Sequence, residues 1–313
     1  MSSIRVGTRG SKLALWQADD IARQLQDEYT DIQVETVIIH TRGDKILDVA
    51  LSKIGDKGIF TKEIEKELIE KRIDLAVHSL KDLPTVLDSR VCIGAVTRRE
   101  YPGDVLVSHK AYTLDELPVG ARIGTSSLRR VAQLKHYRPD LQCVDLRGNV
   151  GTRIRKMKEQ DLDGIVLAYA GVKRLGYESF ISENIPYDIM LPAVGQGAIA
   201  IEIRSDDPIT LDYLASIHDP TTEMETTAER AFLKELEGGC QIPVACLATR
   251  TGEEISIQGL VASLDGTQVY RDSLSCPATV EDAEQAGQKL ARHLNYMGAE
   301  AILREIRTLG EDR

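Results

Sequence analysis

Short apolar segments alternate with amphipathic ones through the first two-thirds of the chain, and this alternation restricts the fold more than any other feature. The first pair is a strand-like segment at 4–7 and a helical pattern that Ser11 can cap and that runs to about Tyr29. The alternation restarts after a break at 101–103. Repeated alternation of this kind predicts parallel sheets flanked by helices, here in two successive α/β units.

A second break, at 192–197, is followed by a strand-like segment at 198–203. We expect this strand to return to the first unit, so that the chain crosses between two α/β domains twice. In such a fold a ligand binds in the cleft, at the carboxyl ends of the strands.

The last third of the chain has a different pattern. A capping-box sequence at 226–229 predicts the start of a helix, and a turn at 264–266 separates the two strands of a predicted hairpin. A helical pattern covers 281–309 with a break near Gly298. Strands beside helices in this order predict a small α+β domain. The predicted domains are 1–98 with 199–216, then 103–192, then 220–313.

Positive charge is concentrated in one part of an acidic chain. The formal net charge is −10, yet residues 122–174 hold twelve Lys or Arg and five Asp or Glu. This distribution favours a site for a small polyanion over a basic surface for a nucleic acid, and the aromatic content of 4% disfavours stacking on single strands. The alternative is a solvated helix face on which charges cluster by chance.

Neither a membrane span nor a metal site is expected. No apolar run approaches the roughly 20 residues that cross a bilayer, and the first residues lack the apolar core of a secretory signal. The five cysteines are scattered, without the Cys-x-x-Cys or histidine spacing of a zinc site. We therefore expect a cytoplasmic protein without a disulfide framework.

The first candidate site is the sequence Val77-His78-Ser79-Leu80-Lys81-Asp82-Leu83-Pro84. A buried strand runs here directly into polar residues, at the strand end where open α/β sheets place their sites. Asp82 could act there as a general acid/base or stabilise a developing cation, with the Lys81 ammonium beside it. The alternative is a plain turn in which Asp82 caps the chain and Lys81 is solvated.

Two predicted strand-to-helix junctions carry arginine. The sequence Gly124-Thr125-Ser126-Ser127-Leu128-Arg129-Arg130 places hydroxyl residues where backbone N–H groups and the helix dipole attract an anion. Arg129 and Arg130 add bidentate donors suited to carboxylates. A similar arrangement with Arg147 and Arg153 returns over 146–153, and neither junction has the Gly-Lys-Ser/Thr signature of a nucleotide-binding loop. The two junctions together favour an anion site.

A cysteine lies in a glycine-rich loop after the predicted helix of the third domain. The glycines of Glu237-Gly238-Gly239-Cys240-Gln241-Ile242-Pro243 leave the loop free to carry the sulfur to another surface. A free cysteine is usually buried and inert, and the alternative for Cys240 is a covalent anchor. The sequence Gly55-Asp56-Lys57-Gly58 resembles a mobile lid and is equally a plain surface turn.

Taken together, these segments resemble the porphobilinogen deaminase family, also called hydroxymethylbilane synthases. The resemblance runs from Ile4 to about Leu309. Its motifs are Thr8-Arg9 with Ser11 and 13–17, then 77–84, 124–130, 146–153, 191–198 and 237–243. It implies a three-domain fold whose first two domains are similar to periplasmic binding proteins. It also implies an enzyme that condenses four porphobilinogen molecules, each losing ammonia, onto a covalent dipyrromethane cofactor and releases hydroxymethylbilane.

The resemblance assigns roles by position. Cys240 is the implied attachment point of the cofactor, and Asp82 is the implied catalytic carboxylate. The implied cofactor-binding residues are Lys81, Ser79, Thr125, Ser127, Arg129 and Arg130. The implied substrate-binding residues are Arg9, Ser11, Gln17, Arg147, Arg153 and Arg174, and the implied loop residues are Lys57 and Phe60. Tyr101 and Gly103 depart from the acidic–Pro–Arg–Asp sequence common in the family.

A non-catalytic anion-binding module is the competing hypothesis. The two crossings and the arginine-bearing junctions fit such a module equally well. It gives no reason for the Gly-Gly-Cys loop or for the third domain. The expected partner is therefore porphobilinogen, with neither nucleic acid nor a membrane, and a monomer is the family expectation.

Overall fold

The computed structural model describes residues 2–41, 43, 61–237 and 242–311, and Cys240, Lys57 and Phe60 lie outside them. The described chain divides into two compact units. The first comprises the described residues up to Glu100 together with Gly197–Glu223, and the second comprises 101–196 and 224–311. The boundaries of the three domains stay a prediction.

The first unit is built around a five-stranded sheet. Its strands are β1 (Ser2–Thr8), β2 (Ile32–Ile38), β3 (Leu75–Ser79), β4 (Val91–Val96) and β10 (Ile199–Arg204), in the order β2-β1-β3-β10-β4. β1 is parallel to β2 and β3, whereas β10 is antiparallel to β3 and β4. Its helices are α1 (Lys12–Glu28), α2 (Lys62–Ile69) and α6 (Pro208–Leu214). Helical spacing places Ala18, Ile21 and Leu25 on the buried face of α1.

The second unit contains another five-stranded sheet. Its strands are β5 (Asp104–Val107), β6 (Arg122–Gly124), β7 (Gln142–Val144), β8 (Gly164–Ala168) and β9 (Ile181–Asn184), in the order β7-β6-β8-β5-β9. β6 is parallel to β7 and β8, whereas β5 is antiparallel to β8 and β9. The helices between them are α3 (Leu128–Tyr137), α4 (Val150–Glu159) and α5 (Tyr169–Arg174).

The two sheets have the same topology. In order and direction, β1, β2, β3, β10 and β4 correspond to β6, β7, β8, β5 and β9. The α/β class is therefore confirmed, and β10 returns to the first sheet as the sequence predicts. The sheets are mixed and not parallel throughout as expected, because the strand that follows each crossing enters its sheet in the opposite direction.

The rest of the second unit is an antiparallel sheet with helices, the first of which begins four residues before the unit does. The strands are β11 (Val244–Thr251), β12 (Glu254–Ala262) and β13 (Val269–Pro277), and the helices are α7 (Pro220–Glu235), α8 (Val280–Leu294) and α9 (Glu300–Glu311). The predicted hairpin is β12–β13. The predicted helix break is also present, since a π-helical segment with Gly298 at φ +127° separates α8 from α9. Strands β9 and β11 were not predicted.

The predicted start of α7 at the capping box is wrong. The helix begins at Pro220, where Asp219 Oδ1 accepts the N–H of Thr222 at 2.7 Å and proline suits the first helical position. Glu229, the acid of the predicted box, is instead fully buried. Its carboxylate accepts the backbone N–H groups of Gly195 and Ala248 at 2.7 and 2.9 Å. Glu229 thus fastens α7 to the segment that leads to the second crossing.

Gly197, at the second crossing, is expected to tolerate no side chain. Its φ is +93°, and an added Cβ would lie 2.4 Å from the carbonyl oxygen of Glu100. Gly197→Ala should therefore destabilise the fold by about 3 kcal/mol or more, since backbone strain and a contact with a fixed carbonyl combine. Gly176→Ala is the matched control, because φ is +72° there and nothing lies within 4 Å of an added Cβ. Equal falls in the thermal midpoints of the two variants would show that the Glu100 contact has no effect.

Candidate active site

A cavity of about 70 Å³ opens at the carboxyl end of β3 in the first unit. Five of the predicted site residues line it, namely Arg9, Ser11, Gln17, Ser79 and Asp82. They come from the end of β1, from α1 and from the end of β3, so the fold joins two of the sequence motifs in one site. Thr61 and His78 also line the cavity, and neither was predicted as a site residue.

Hydrogen bonds fix the start of α1 beside the strand ends. Ser11 caps the helix as predicted, since its Oγ accepts the N–H of Ala14 at 3.3 Å. Thr8 Oγ1 donates to the carbonyl oxygen of Ala14 at 3.1 Å. Gln17 is buried, and its Nε2 donates to Ser79 Oγ at 2.9 Å. The helix is therefore held to β1 at its first turn and to the end of β3 one turn later.

Asp82 ends a single 3₁₀ turn that follows β3 directly. The turn is held on the sheet by Leu80, whose side chain is buried and whose N–H donates to the carbonyl oxygen of Ala198 at 3.0 Å. Lys81 is half-buried in the turn, and Asp82 is exposed at the cavity. A carboxylate presented in this way can stabilise a cation in the cavity or move a proton.

In the second unit, the two predicted anion-binding arginines share one buried carboxylate. The Nη atoms of Arg129 and Arg130 each lie 2.7 Å from an oxygen of Asp104, which is fully buried. Arg129 also donates to the carbonyl oxygen of Leu191 at 2.6 Å, and Arg130 donates to that of Val166 at 2.8 Å. Both arginines are only 5% exposed, and these internal contacts fix their side chains at the start of α3.

The charges of this buried group do not balance. Two guanidiniums and one carboxylate leave one positive charge in excess, and Arg130 Nε is buried with no hydrogen-bond partner among the described residues. Burial alone would raise the pKa of Asp104, but the two guanidinium charges hold it well below its usual range. Gln196 Nε2 donates to Asp104 Oδ1 at 3.0 Å and to the carbonyl oxygen of Pro102 at 2.7 Å, so both crossing segments contact the group.

The remaining predicted residues of this unit lie on or beside three helices. Thr125 is buried after β6, and Ser127 is the N-cap of α3 without a side-chain cap hydrogen bond. Arg147 follows β7 and lies 3.7 Å from Asp145. The others are Arg153 in the first turn of α4, whose Nε donates to the carbonyl oxygen of Gly148 at 2.7 Å, and Arg174 at the end of α5. Arg147, Arg153 and Arg174 are half-buried.

The two departures at the first crossing depend on each other. An added Cβ at Gly103 would lie 2.4 Å from a ring carbon of Tyr101. That ring stacks on Tyr187 with centroids 5.7 Å apart and meets the Tyr169 ring edge-on at 5.3 Å. Tyr101 therefore fills the space that a side chain at position 103 would take, and the two positions differ from the family sequence together.

The four described cysteines are poor nucleophiles. Cys246 is fully buried, and burial raises the pKa of the Cys92, Cys143 and Cys276 thiols. Since the thiolate is the reactive form, burial disfavours reaction at these thiols. Within the described ranges there is also no cluster of His, Cys, Asp or Glu that could hold a metal ion.

Comparison with known proteins decides the family. Residues 4–212 match the family model described as porphobilinogen deaminase, dipyromethane cofactor binding domain, and residues 224–295 match the model of the C-terminal domain of the same family. The chain belongs to the porphobilinogen deaminase family. A curated porphobilinogen deaminase of Syntrophomonas wolfei is 59% identical over 98% of this chain and 100% of the relative. That of Carboxydothermus hydrogenoformans is 54% identical over 96% of each.

Membership in the porphobilinogen deaminase family confirms the predicted enzyme and its cofactor. The chain is a transferase of tetrapyrrole biosynthesis that condenses porphobilinogen into hydroxymethylbilane with loss of ammonia, and its larger matched region is a dipyrromethane-binding domain. The non-catalytic anion-binding module is not supported. A probable amino-acid transporter binding protein of Bacillus subtilis gives a TM-score of 0.41 at 10% identity, covering 69% of this chain and 90% of that one, and this likeness is too weak to bear on function. Among the described residues, no helix has the length and apolar character to span a membrane.

Proposed function

We propose that Asp82 is the catalytic carboxylate of this porphobilinogen deaminase. The observation that supports it is the cavity, in which Asp82 lies with the hydrogen-bonding side chains of Arg9, Ser11 and Gln17. Porphobilinogen carries carboxylates and an aminomethyl group. A guanidinium and a hydroxyl suit the carboxylates, which leaves the acid for the carbon from which ammonia departs.

The chemistry of the reaction supports a carboxylate at the reacting carbon. Loss of ammonia leaves a positive charge on the substrate pyrrole, and a carboxylate close to that carbon stabilises the charge as it develops. The ring carbon of the pyrrole that attacks this cation then loses a proton, which the same carboxylate can accept. Asp82, exposed to the cavity on a turn fixed by the Leu80 backbone, can serve both steps.

The buried arginine pair fits the carboxylates of the cofactor. A ligand carboxylate would balance the excess positive charge of the group formed by Arg129, Arg130 and Asp104. We propose that this pair holds the cofactor, with further donors from Thr125 and Ser127 of the same unit. The roles of Lys81 and Ser79 in cofactor binding stay predictions of the resemblance. When bound, dipyrromethane supplies the covalent primer to which the pyrroles are joined. Arg147, Arg153 and Arg174, which are half-buried, would bind the incoming pyrrole and the growing chain.

We propose Cys240 as the attachment point of the cofactor, in keeping with the poor reactivity of the four described thiols. Enzyme expressed with adequate porphobilinogen should show an intact mass larger than the polypeptide by one dipyrromethane. Peptide mapping should place this addition on the peptide that contains Cys240 and leave the peptide with Cys276 unmodified. A bare polypeptide, or an addition on another cysteine, would contradict the assignment.

We propose further that the enzyme is a cytoplasmic monomer. Light scattering on the purified protein should then give a mass near the 34.6 kDa of one chain. A mass near twice that value would reject the monomer. The roles of Lys57 and Phe60 stay predictions of the resemblance.

A further inference from the structure

A histidine and a glutamate are paired in the interior of the first unit, next to the cavity. His78 lines the cavity, and its Nε2 lies 3.1 Å from Oε2 of Glu202. The Glu202 side chain is completely buried and that of His78 is 5% exposed. Neither residue has a role in the function proposed above.

The strand register brings the two side chains together. In the antiparallel pair of β3 and β10, His78 stands opposite Ala200, and Glu202 is two residues further along β10. Residues related in this diagonal way lie on the same face of a sheet and within reach of long side chains. The sheet itself therefore holds the imidazole against the carboxylate.

Stability does not account for a carboxylate in this position. Glu202 Oε1 has no hydrogen-bond partner among the described residues, although it is buried. Apolar side chains of similar volume in place of a buried ion pair are often neutral or stabilising. A costly pair beside the reaction cavity therefore points to a role in the site.

Two other titratable groups, Glu65 and Cys92, lie near the pair. Glu65 on α2 is half-buried, and burial raises its pKa. The charge of Glu202 adds to this rise, whereas a hydrogen bond with Thr61 and the charge of His78 oppose it. Cys92 on β4 has its pKa raised by burial and also by Glu202. In the described part of the chain, His78 is the one basic side chain within ion-pair distance of Glu202.

Contacts on both faces of the sheet fix the end of β3, and the pair of His78 and Glu202 supplies one of them. Consecutive residues of a strand point to opposite faces of the sheet. The side chain of His78 contacts Glu202, and the side chain of Ser79 is hydrogen-bonded to Gln17 on α1. The next residue, Leu80, donates its backbone N–H to the carbonyl oxygen of Ala198. Three successive residues are thus fixed from different sides immediately before Lys81 and Asp82.

We propose that Glu202 is a positioning residue of the enzyme, which orients His78 and through it the turn that carries Asp82. In the proposed pair, His78 Nε2 donates its hydrogen to the Glu202 carboxylate, and this contact holds the ring in one orientation. Positioning of this kind matters because a displacement of about 1 Å can slow a reaction about 100-fold. The inference rests on the proposed role of Asp82.

The test compares Glu202→Gln with the wild-type holoenzyme. Because the turn moves while Arg9 and Ser11 stay in place, we expect kcat to fall by about 10- to 100-fold with KM changed by about twofold or less. The covalent cofactor, measured by intact mass, should be retained. Glu202→Asp, which keeps the carboxylate, should recover part of kcat. Glu183→Gln is the matched control, since Glu183 is a half-buried strand carboxylate in the other unit and should leave kcat unchanged.

A spectroscopic measurement keeps the proposal testable even if Glu202→Gln fails to fold. In wild-type enzyme with ¹⁵N-labelled histidine, the Nε2–H of His78 should be observed and protected from exchange with water, and it should lose this protection in Glu202→Gln. Absence of that signal in the wild type, or a kcat of Glu202→Gln equal to wild type, would overturn the proposal. Normal turnover of Asp82→Asn with the His78 signal intact would instead reject the catalytic role of Asp82 and leave the pairing standing.

Discussion

Asp82→Asn is expected to lower kcat by about 10²- to 10⁴-fold, the range for loss of a positioned general acid/base. The amide keeps the shape of the side chain but carries no charge and accepts no proton at neutral pH. It therefore loses both the stabilisation of the cation formed when ammonia leaves and the transfer of the proton from the attacked carbon. KM for porphobilinogen should change far less, because Arg9, Ser11 and Gln17 remain in the cavity.

Two further measurements separate the chemical role of Asp82 from a structural one. Intact mass should show that the Asp82→Asn protein carries the covalent cofactor, and its thermal midpoint should match that of the wild type, because Asp82 is exposed. The matched control is Asp88→Asn on the same connection, where the carboxylate forms an ion pair with Arg90 at the surface. We expect that control to turn over normally. Near-normal turnover of Asp82→Asn would remove this residue from the mechanism.

Features encoded by neighbouring residues could be predicted from the sequence. Ser11 caps α1 and the break at Gly298 separates two helices, since each depends on residues within a few positions along the chain. Asp82 was predicted as a site residue in the same way, because a buried strand ending in polar residues is a local pattern. The hydrogen bond between Gln17 and Ser79, which are 62 residues apart, was not predicted.

The features that were missed depend on distant partners. Glu202 is 124 residues from His78, and no local pattern marks either as half of a buried pair. Glu229 looked like a cap because a threonine stands three residues before it, yet its carboxylate binds Gly195, 34 residues away. The short strand β9 was missed because its residues, Ile181–Asn184, are partly exposed polar side chains after the first position.

Asp104→Asn should lower the free energy of unfolding by about 3–5 kcal/mol, the cost of leaving a buried charge without its partner. The substitution removes the carboxylate that Arg129 and Arg130 share and leaves both guanidiniums buried. The thermal midpoint of the second unit measures the effect, and we expect the cofactor content by intact mass to fall with it. Asp140→Asn is the control, because Asp140 pairs with Arg138 near the surface, where solvent screens the charges.

The pH dependence of the stability lost in Asp104→Asn shows whether the loss is electrostatic. The folded protein holds the pKa of Asp104 below the value of about 3.9 that it has in the unfolded chain, so its charge stabilises the fold above that value. As the pH falls below about 4, the unfolded chain binds a proton that the folded chain resists, and the wild type loses this stabilisation. The difference in the free energy of unfolding between wild type and Asp104→Asn should therefore be largest at neutral pH and should decrease on acidification. If this difference in free energy stays constant down to about pH 3, the shape of the carboxylate, and not its charge, holds the arginines in place.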